Sequence, residues 1–157
     1  GHGFVFILIW DVCTFGNYRS GKICRKTGIC AYGSGERTIQ SGDQCGFYQE
    51  RNEADGIIST KQPQIRRAKE LGLYTVHRFF VIDSAAYENV EKCTKALRPD
   101  CVELMPGVMP KVIRQMTEKL SVPVIAGGLI SDKEDIIAAL DAGATAISTT
   151  KEELWFL

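Results

Sequence analysis

From residue 54 to its end the chain alternates short apolar runs with stretches whose apolar positions recur at helical spacing. "DGIIST" is an apolar run closed by hydroxyls, and "KQPQIRRAKELG" follows at helical spacing and is closed by Gly72. "LYTVHRFFVI" is the next strand-like run. "SAAYENVEKCTKALRPD" then opens on Ser84, a residue type that caps helix N-termini. The alternation continues through "CVELMPG", the helix "MPKVIRQMTEKL", the strand "VPVIAGG", the helix "SDKEDIIAALDAGA", the strand "TAISTT" and a terminal "KEELWFL". Units recur about every 20–25 residues, the rhythm of βα repeats feeding a parallel sheet. The pattern predicts an α/β fold, a TIM-like (β/α) barrel with parallel strands, five of them in this half.

Residues 13–53 break the rhythm. They hold few aliphatic side chains, no sustained period, and scattered Gly, Ser and Cys. A structureless stretch of about 40 residues is unusual inside a compact domain. The expected organisation is therefore one barrel domain over 1–157, regular over 54–157 and incomplete or irregular in its N-terminal third.

Composition narrows the function. At 157 residues the chain can bury one real core. Lys plus Arg equals Asp plus Glu at 19 each, so the whole chain carries no basic footprint for nucleic acid. Apolar runs fall short of the roughly 20 residues that span a bilayer, which argues against a membrane partner. "FVFILIW" at residues 4–10 lacks the basic flank and cleavage site of a signal peptide and reads as a buried strand, so a cytoplasmic location is expected. The missing initiator Met suggests that the natural start lies further upstream. Of six cysteines, Cys13, Cys24, Cys30 and Cys45 lie in the first third, separated by ten, five and fourteen residues with no His among them. Zinc knuckles pair their cysteines far more closely, so no metal is expected.

The glycine-marked "GICAYGSGERT" at residues 28–38 invites a phosphate-loop reading. It has no Lys after its second glycine and follows no strand pattern, so that motif is absent. The stronger signal is "IAGGLI" with "ISTTKEEL". In (β/α) barrels the loops after the last two strands, with a short helix N-terminus, hold phosphate. Gly127 and Gly128 let the backbone N–H groups approach anionic oxygens, and Ser148, Thr149 and Thr150 supply hydroxyls. The bland alternative is a tight turn and a hydroxyl cap. Lys61 is either a phosphate partner or a solvated cation. Arg78, within a strand, needs an acidic or phosphate partner if it faces inward, and Glu103 needs a donor, for which Arg78 or a ligand hydroxyl would serve. Asp83 and Ser84 are equally ligand contacts or a helix cap, and His77 alternates with Arg78 and so faces the helices as a structural residue.

The second half resembles the glycerol uptake operon antiterminator family. The residues that carry this are "ADGIISTK" (54–61), "HRFFVIDSAA" (77–86), "PDCVELMPGVMPKVI" (99–113), "VPVIAGGLISDKEDIIAALDAGATAIST" (122–149) and "LW" (154–155), in order and at family spacing. The resemblance implies a small barrel regulator of bacterial glycerol metabolism. It would respond to glycerol 3-phosphate, use no other cofactor, and bind leader mRNA to prevent premature transcription termination. It makes the five regular strands the fourth to eighth and "GFVFILIWDV" the second, with the first missing.

Where the family has its third strand, the chain departs from it, and the genetic code offers a reason. Read from the second base of each codon, with free synonymous choice, "CTFGNY" permits "HLGTI" and "GICAYGSGERT" permits "AYVHMDLVNGL". "IQSGDQCGFYQ" permits "SSQ" and, a little further on, "NAVFIK". These match the family's "DVHLG", "VHxDLVxGLS" and "AVxFIK" segments in order. Residues from about Cys13 to about Asn52 therefore read as a frameshifted translation, poorly packed, with the frame restored by Ala54.

RNA binding rests on the resemblance. Arg66, Arg67 and Lys69 form one basic cluster and Lys111 and Arg114, with Lys119, another; solvated helix faces are the alternative for both. No residue is assigned a catalytic role, since nucleophile elbows, metal clusters and Cys–His spacings are absent. The rivals are a barrel enzyme of aldolase or isomerase type acting on a small phosphorylated substrate, and an inert product of the displaced frame. Oligomeric state is not readable.

Overall fold

The computed structural model describes residues 4–9, 12–15, 28–31 and 56–154. The residues expected to be displaced in frame, about 13–52, fall outside the described residues apart from 13–15 and 28–31.

Eight strands form a closed ring in chain order: β1 (Phe4–Ile9), β2 (Val12–Phe15), β3 (Gly28–Ala31), β4 (Gly56–Ser59), β5 (Tyr74–Phe80), β6 (Cys101–Met105), β7 (Val124–Gly127) and β8 (Ala146–Thr149). Strands β3 to β8 are parallel, and β1 pairs in parallel with β8, Phe4 opposite Ala146. Strand β2 runs antiparallel to both of its neighbours. The expected α/β barrel is present, and its N-terminal irregularity takes the form of a reversed strand rather than a gap. The strand at residues 4–9, expected as the second of the family's barrel, lies directly beside β8.

Four helices cover the regular half: α1 (Gln62–Glu70), α2 (Ser84–Leu97), α3 (Pro110–Lys119) and α4 (Lys133–Asp141). Each begins where the sequence supplies a start. Pro63 and Pro110 sit in the first turns of α1 and α3, where a missing N–H costs nothing. Helix α2 is capped by Asp83, whose carboxylate accepts from the Ala86 N–H at 2.7 Å. The expectation that Ser84 is the cap is corrected by one position: Ser84 is the first helical residue, and Asp83 before it reaches forward to the free Ala86 amide. Helix α2 ends at Leu97, with Arg98 left-handed at φ 48° before Pro99, rather than continuing to Asp100. Asp132 caps α4 in the same way as Asp83 caps α2, accepting from Asp135 N–H at 2.9 Å.

Strand alternation sorts the side chains. Ile57 packs with Ile65 and Ala68 of α1, Phe79, Val102 and Leu104 pack with Val90 and Met116 of α2 and α3, and Ala126 and Ile147 pack with Ile113 and Ile136. The alternate residues Ile58, Val76, Arg78, Glu103, Ile125 and Ser148 therefore face the barrel interior. His77 lies on the helix side as expected, buried, its ring 4.1 Å from that of Phe79.

Candidate functional site

The C-terminal ends of the parallel strands share one mouth, where barrel chemistry is assembled. The centre of the arrangement is an ion pair between neighbouring strands. Arg78 and Glu103 are register partners on β5 and β6, and Arg78 Nε donates to Glu103 Oε2 at 2.6 Å. Glu103 is 1% exposed and Arg78 18%. The inward arginine thus has the acidic partner its sequence position required. Glu103 Oε1 has no hydrogen-bond partner among the described residues.

Gly127 ends β7 directly beside that oxygen. A Cβ on Gly127 would clash with Glu103 Oε1 and stand 3.2 Å from the Ser148 Cβ. The glycine lets the Glu103 carboxylate pack directly over the end of β7, beside Ser148. Gly128 follows with φ +74°, a conformation that disfavours side chains, and its amide turn is pinned by Gly107 N–H donating to the Gly128 carbonyl at 2.9 Å. Gly107 itself has no room for a Cβ, which would lie 2.8 Å from Gly127 N. The role of Gly107 is not visible in the sequence, because it arises from β6 and β7 ending side by side.

The hydroxyls divide. Ser148 faces inward beside Gly127, its register partner. Thr149 faces the helices: its hydroxyl donates to the Ile130 carbonyl at 3.4 Å and accepts from Lys151 N–H at 3.2 Å. It braces the two rim loops rather than presenting a donor to the mouth. Thr150 is exposed at the rim. Lys151 ties the same loops together, donating to the Ser131 carbonyl at 3.0 Å. The terminal helix expected to aim its N-terminus at phosphate is, in its described part, a single 3₁₀ turn, Glu152–Leu154.

Lys61 is exposed after β4, four strands from β8 in either direction around the ring, so it stands across the mouth from Thr150. Asp83 is taken up as a helix cap, and Ser84 is exposed. Burial holds the His77 imidazole below its usual pKa, against a hydrogen bond with the Thr60 backbone. At the opposite end of the barrel, Asp100 Oδ2 accepts from Thr75 N–H at 2.8 Å and Thr75 Oγ1 at 2.7 Å, a structural clamp between the starts of β5 and β6.

The basic clusters do not merge. Arg66, Arg67 and Lys69 lie on α1, Lys111 and Arg114 on α3, with α2 between them. Arg67 pairs with Glu70 at 3.2 Å, and Lys69 Nζ donates to the Arg98 carbonyl. Lys111 and Arg114 are exposed. Lys119 lies over the Tyr87 ring, 4.9 Å from its centroid, beside an open cleft of about 610 Å³ that α2 and α3 share outside the barrel.

Residues 40–155 match the family model described as glycerol-3-phosphate responsive antiterminator. The chain belongs to this antiterminator family. It is 37% identical, over 98% of its length and 81% of the relative's, to the uncharacterized protein YgcP of Escherichia coli (strain K12). Among solved structures it is similar to a glycerol uptake operon antiterminator regulatory protein from Listeria monocytogenes, with 38% identity and a TM-score of 0.71. That likeness covers 76% of this chain and 65% of the Listeria protein, so the chain spans about two thirds of that relative's length. A glycerol uptake operon antiterminator-related protein from Thermotoga maritima is 34% identical with a TM-score of 0.66, over 77% of this chain and 69% of that one. An aldolase, QR15, shares the fold at 15% identity and a TM-score of 0.62 over 78% of this chain and 67% of that one. Among the described residues, no helix is long and apolar enough to cross a membrane.

Proposed function

We propose that the chain is a glycerol 3-phosphate sensor that binds leader mRNA of glycerol-utilisation genes and prevents premature termination. The observation that carries this reading is the match of residues 40–155 to a family described by its response to that ligand. The geometry supports it at the mouth. Gly128 turns the chain at the rim with φ +74°, Ser148 and Thr150 carry hydroxyls, and Arg78 carries a guanidinium of which only Nε is occupied among the described residues. A phosphate ester needs just such donors.

RNA contact falls best on α3, where Lys111 and Arg114 are exposed. The α1 cluster is partly engaged by Glu70 and the Arg98 carbonyl. A buried carboxylate with one free oxygen also suits a general base, the observation that favours an enzyme as the second reading.

The experiment is retention of a glycerol-operon leader transcript by the chain, at several salt concentrations, with and without glycerol 3-phosphate, while assaying for product in parallel. The proposal predicts ligand-dependent, salt-sensitive retention and no product. Retention that ignores the ligand, or turnover of it, would sink the sensor reading.

A further inference from the structure

We propose that the cleft between α2 and α3 is the surface through which two copies of this chain associate about a two-fold axis, Glu88 of each copy lying against Lys119 of the other. The inference concerns the outer face of the barrel and does not depend on how the mouth is read.

The cleft has a volume of about 610 Å³ and opens to solvent on the outside of the barrel. Its apolar part is made by Val81, Ile82, Tyr87 and Val112. Val81 is buried in the cluster beneath α2 and α3, and Tyr87 and Val112 are half-buried against that same cluster. Ile82 is 82% exposed, the most exposed of the large apolar side chains among the described residues. A lone exposed isoleucine on a convex surface needs no partner. Ile82 instead stands at the lip of a groove with an apolar floor, the form of surface that another chain covers.

Charge selects the occupant. The α2 wall carries Glu88 and the α3 wall Lys119, both exposed. Glu91, one turn further along α2, is taken by Lys95 at 2.6 Å, whereas Glu88 has no ion-pair partner among the described residues. Lys119 Nζ lies over the Tyr87 ring, 4.9 Å from its centroid, which holds the ammonium at the edge of the cleft. A polyanion laid in the groove would meet Glu88, and a polycation would meet Lys119. A surface with one charge of each sign on opposite walls is complementary to itself. A two-fold rotation sets the acidic wall of one copy against the basic wall of the other, and does so twice. With 19 basic and 19 acidic residues, the chain has no net charge to oppose that encounter.

The test is sedimentation velocity of the 157-residue chain over a range of protein concentrations. A concentration-dependent dimer is expected for the unaltered chain. Glu88→Lys and Lys119→Glu each place like charges opposite one another and are expected to weaken dimerisation about tenfold or more. Mixed together, the two variants regain both opposite-charge contacts and should form a heterodimer with close to the unaltered affinity. Glu88→Lys leaves the Lys119–Tyr87 contact in place, so its effect is not a loss of the cleft's own packing. A chain that is monomeric at every concentration would overturn the proposal, as would a dimer that neither variant weakens or variants that fail to pair when mixed. So would retention of a single-stranded RNA by a monomeric chain that Lys119→Glu abolishes, which would make the cleft a nucleic-acid site. If one variant does not fold, the unaltered chain and the other variant still decide the matter.

Discussion

Arg78 and Glu103 face each other across the β5–β6 pairing, Nε to Oε2 at 2.6 Å, with Gly127 on the next strand shaped to the second oxygen of the same carboxylate. Removing one partner leaves a largely buried charge uncompensated. Glu103→Ala is expected to cost about 3 kcal/mol in urea denaturation, and Arg78→Met combined with Glu103→Gln less than the sum of the two alone. Gly127→Ala is expected to cost about 1–3 kcal/mol through the clash with Glu103 Oε1. That cost should shrink in a Glu103→Ala background, and strict additivity would show that the two residues are not in contact.

His77 makes stability pH-dependent. Burial lowers its folded-state pKa below the unfolded value of about 6.5. Above that pH both states are neutral and the residue adds no slope. As pH falls below it, the unfolded chain takes up a proton that the native state declines, and stability drops until the folded imidazole titrates too. Denaturation midpoints measured between pH 7.5 and 5 should fall, and fall less in His77→Phe. An identical slope in that variant would remove His77 as the cause.

The caps discriminate between adjacent residues. Asp83→Ala is expected to lose about 1 kcal/mol and Ser84→Ala less than about 0.5 kcal/mol. The reverse order would return the cap to Ser84.

Much of the regular half was legible because its information is local. The runs around Ile57, Val76, Leu104, Ala126 and Ile147 each became a strand, and the intervening helical spacings each became a helix. The inward Arg78 and its need for an acid were legible too, because a charge inside a strand must be paired. The cap moved by one because Asp83 and Ser84 are both good caps, and only backbone geometry separates them. Thr149 was misplaced because neighbouring hydroxyls on a strand face opposite sides, and strand phase decides which one reaches the mouth. Gly107 and the free Glu103 oxygen are tertiary facts, created by strands far apart in sequence. The reversed strand β2 lies where the chain has no usable period.

The displaced-frame reading of residues 13–52 makes a prediction at the level of DNA. Sequencing the coding region should reveal that a compensating pair of one-base changes near codons 12 and 52 restores the segments "HLGTI" and "AYVHMDLVNGL". If no such pair does so, the chain's divergence there is its own sequence and not a shifted frame.

The most direct test of the central claim is hydrogen exchange with and without glycerol 3-phosphate. A ligand held at the ends of β7 and β8 should slow exchange at Gly128, Leu129 and Ile130 and at Thr150 and Lys151, with the α1 amides unchanged. Protection confined to other parts of the barrel, or none at all in a chain that stays folded, would contradict it.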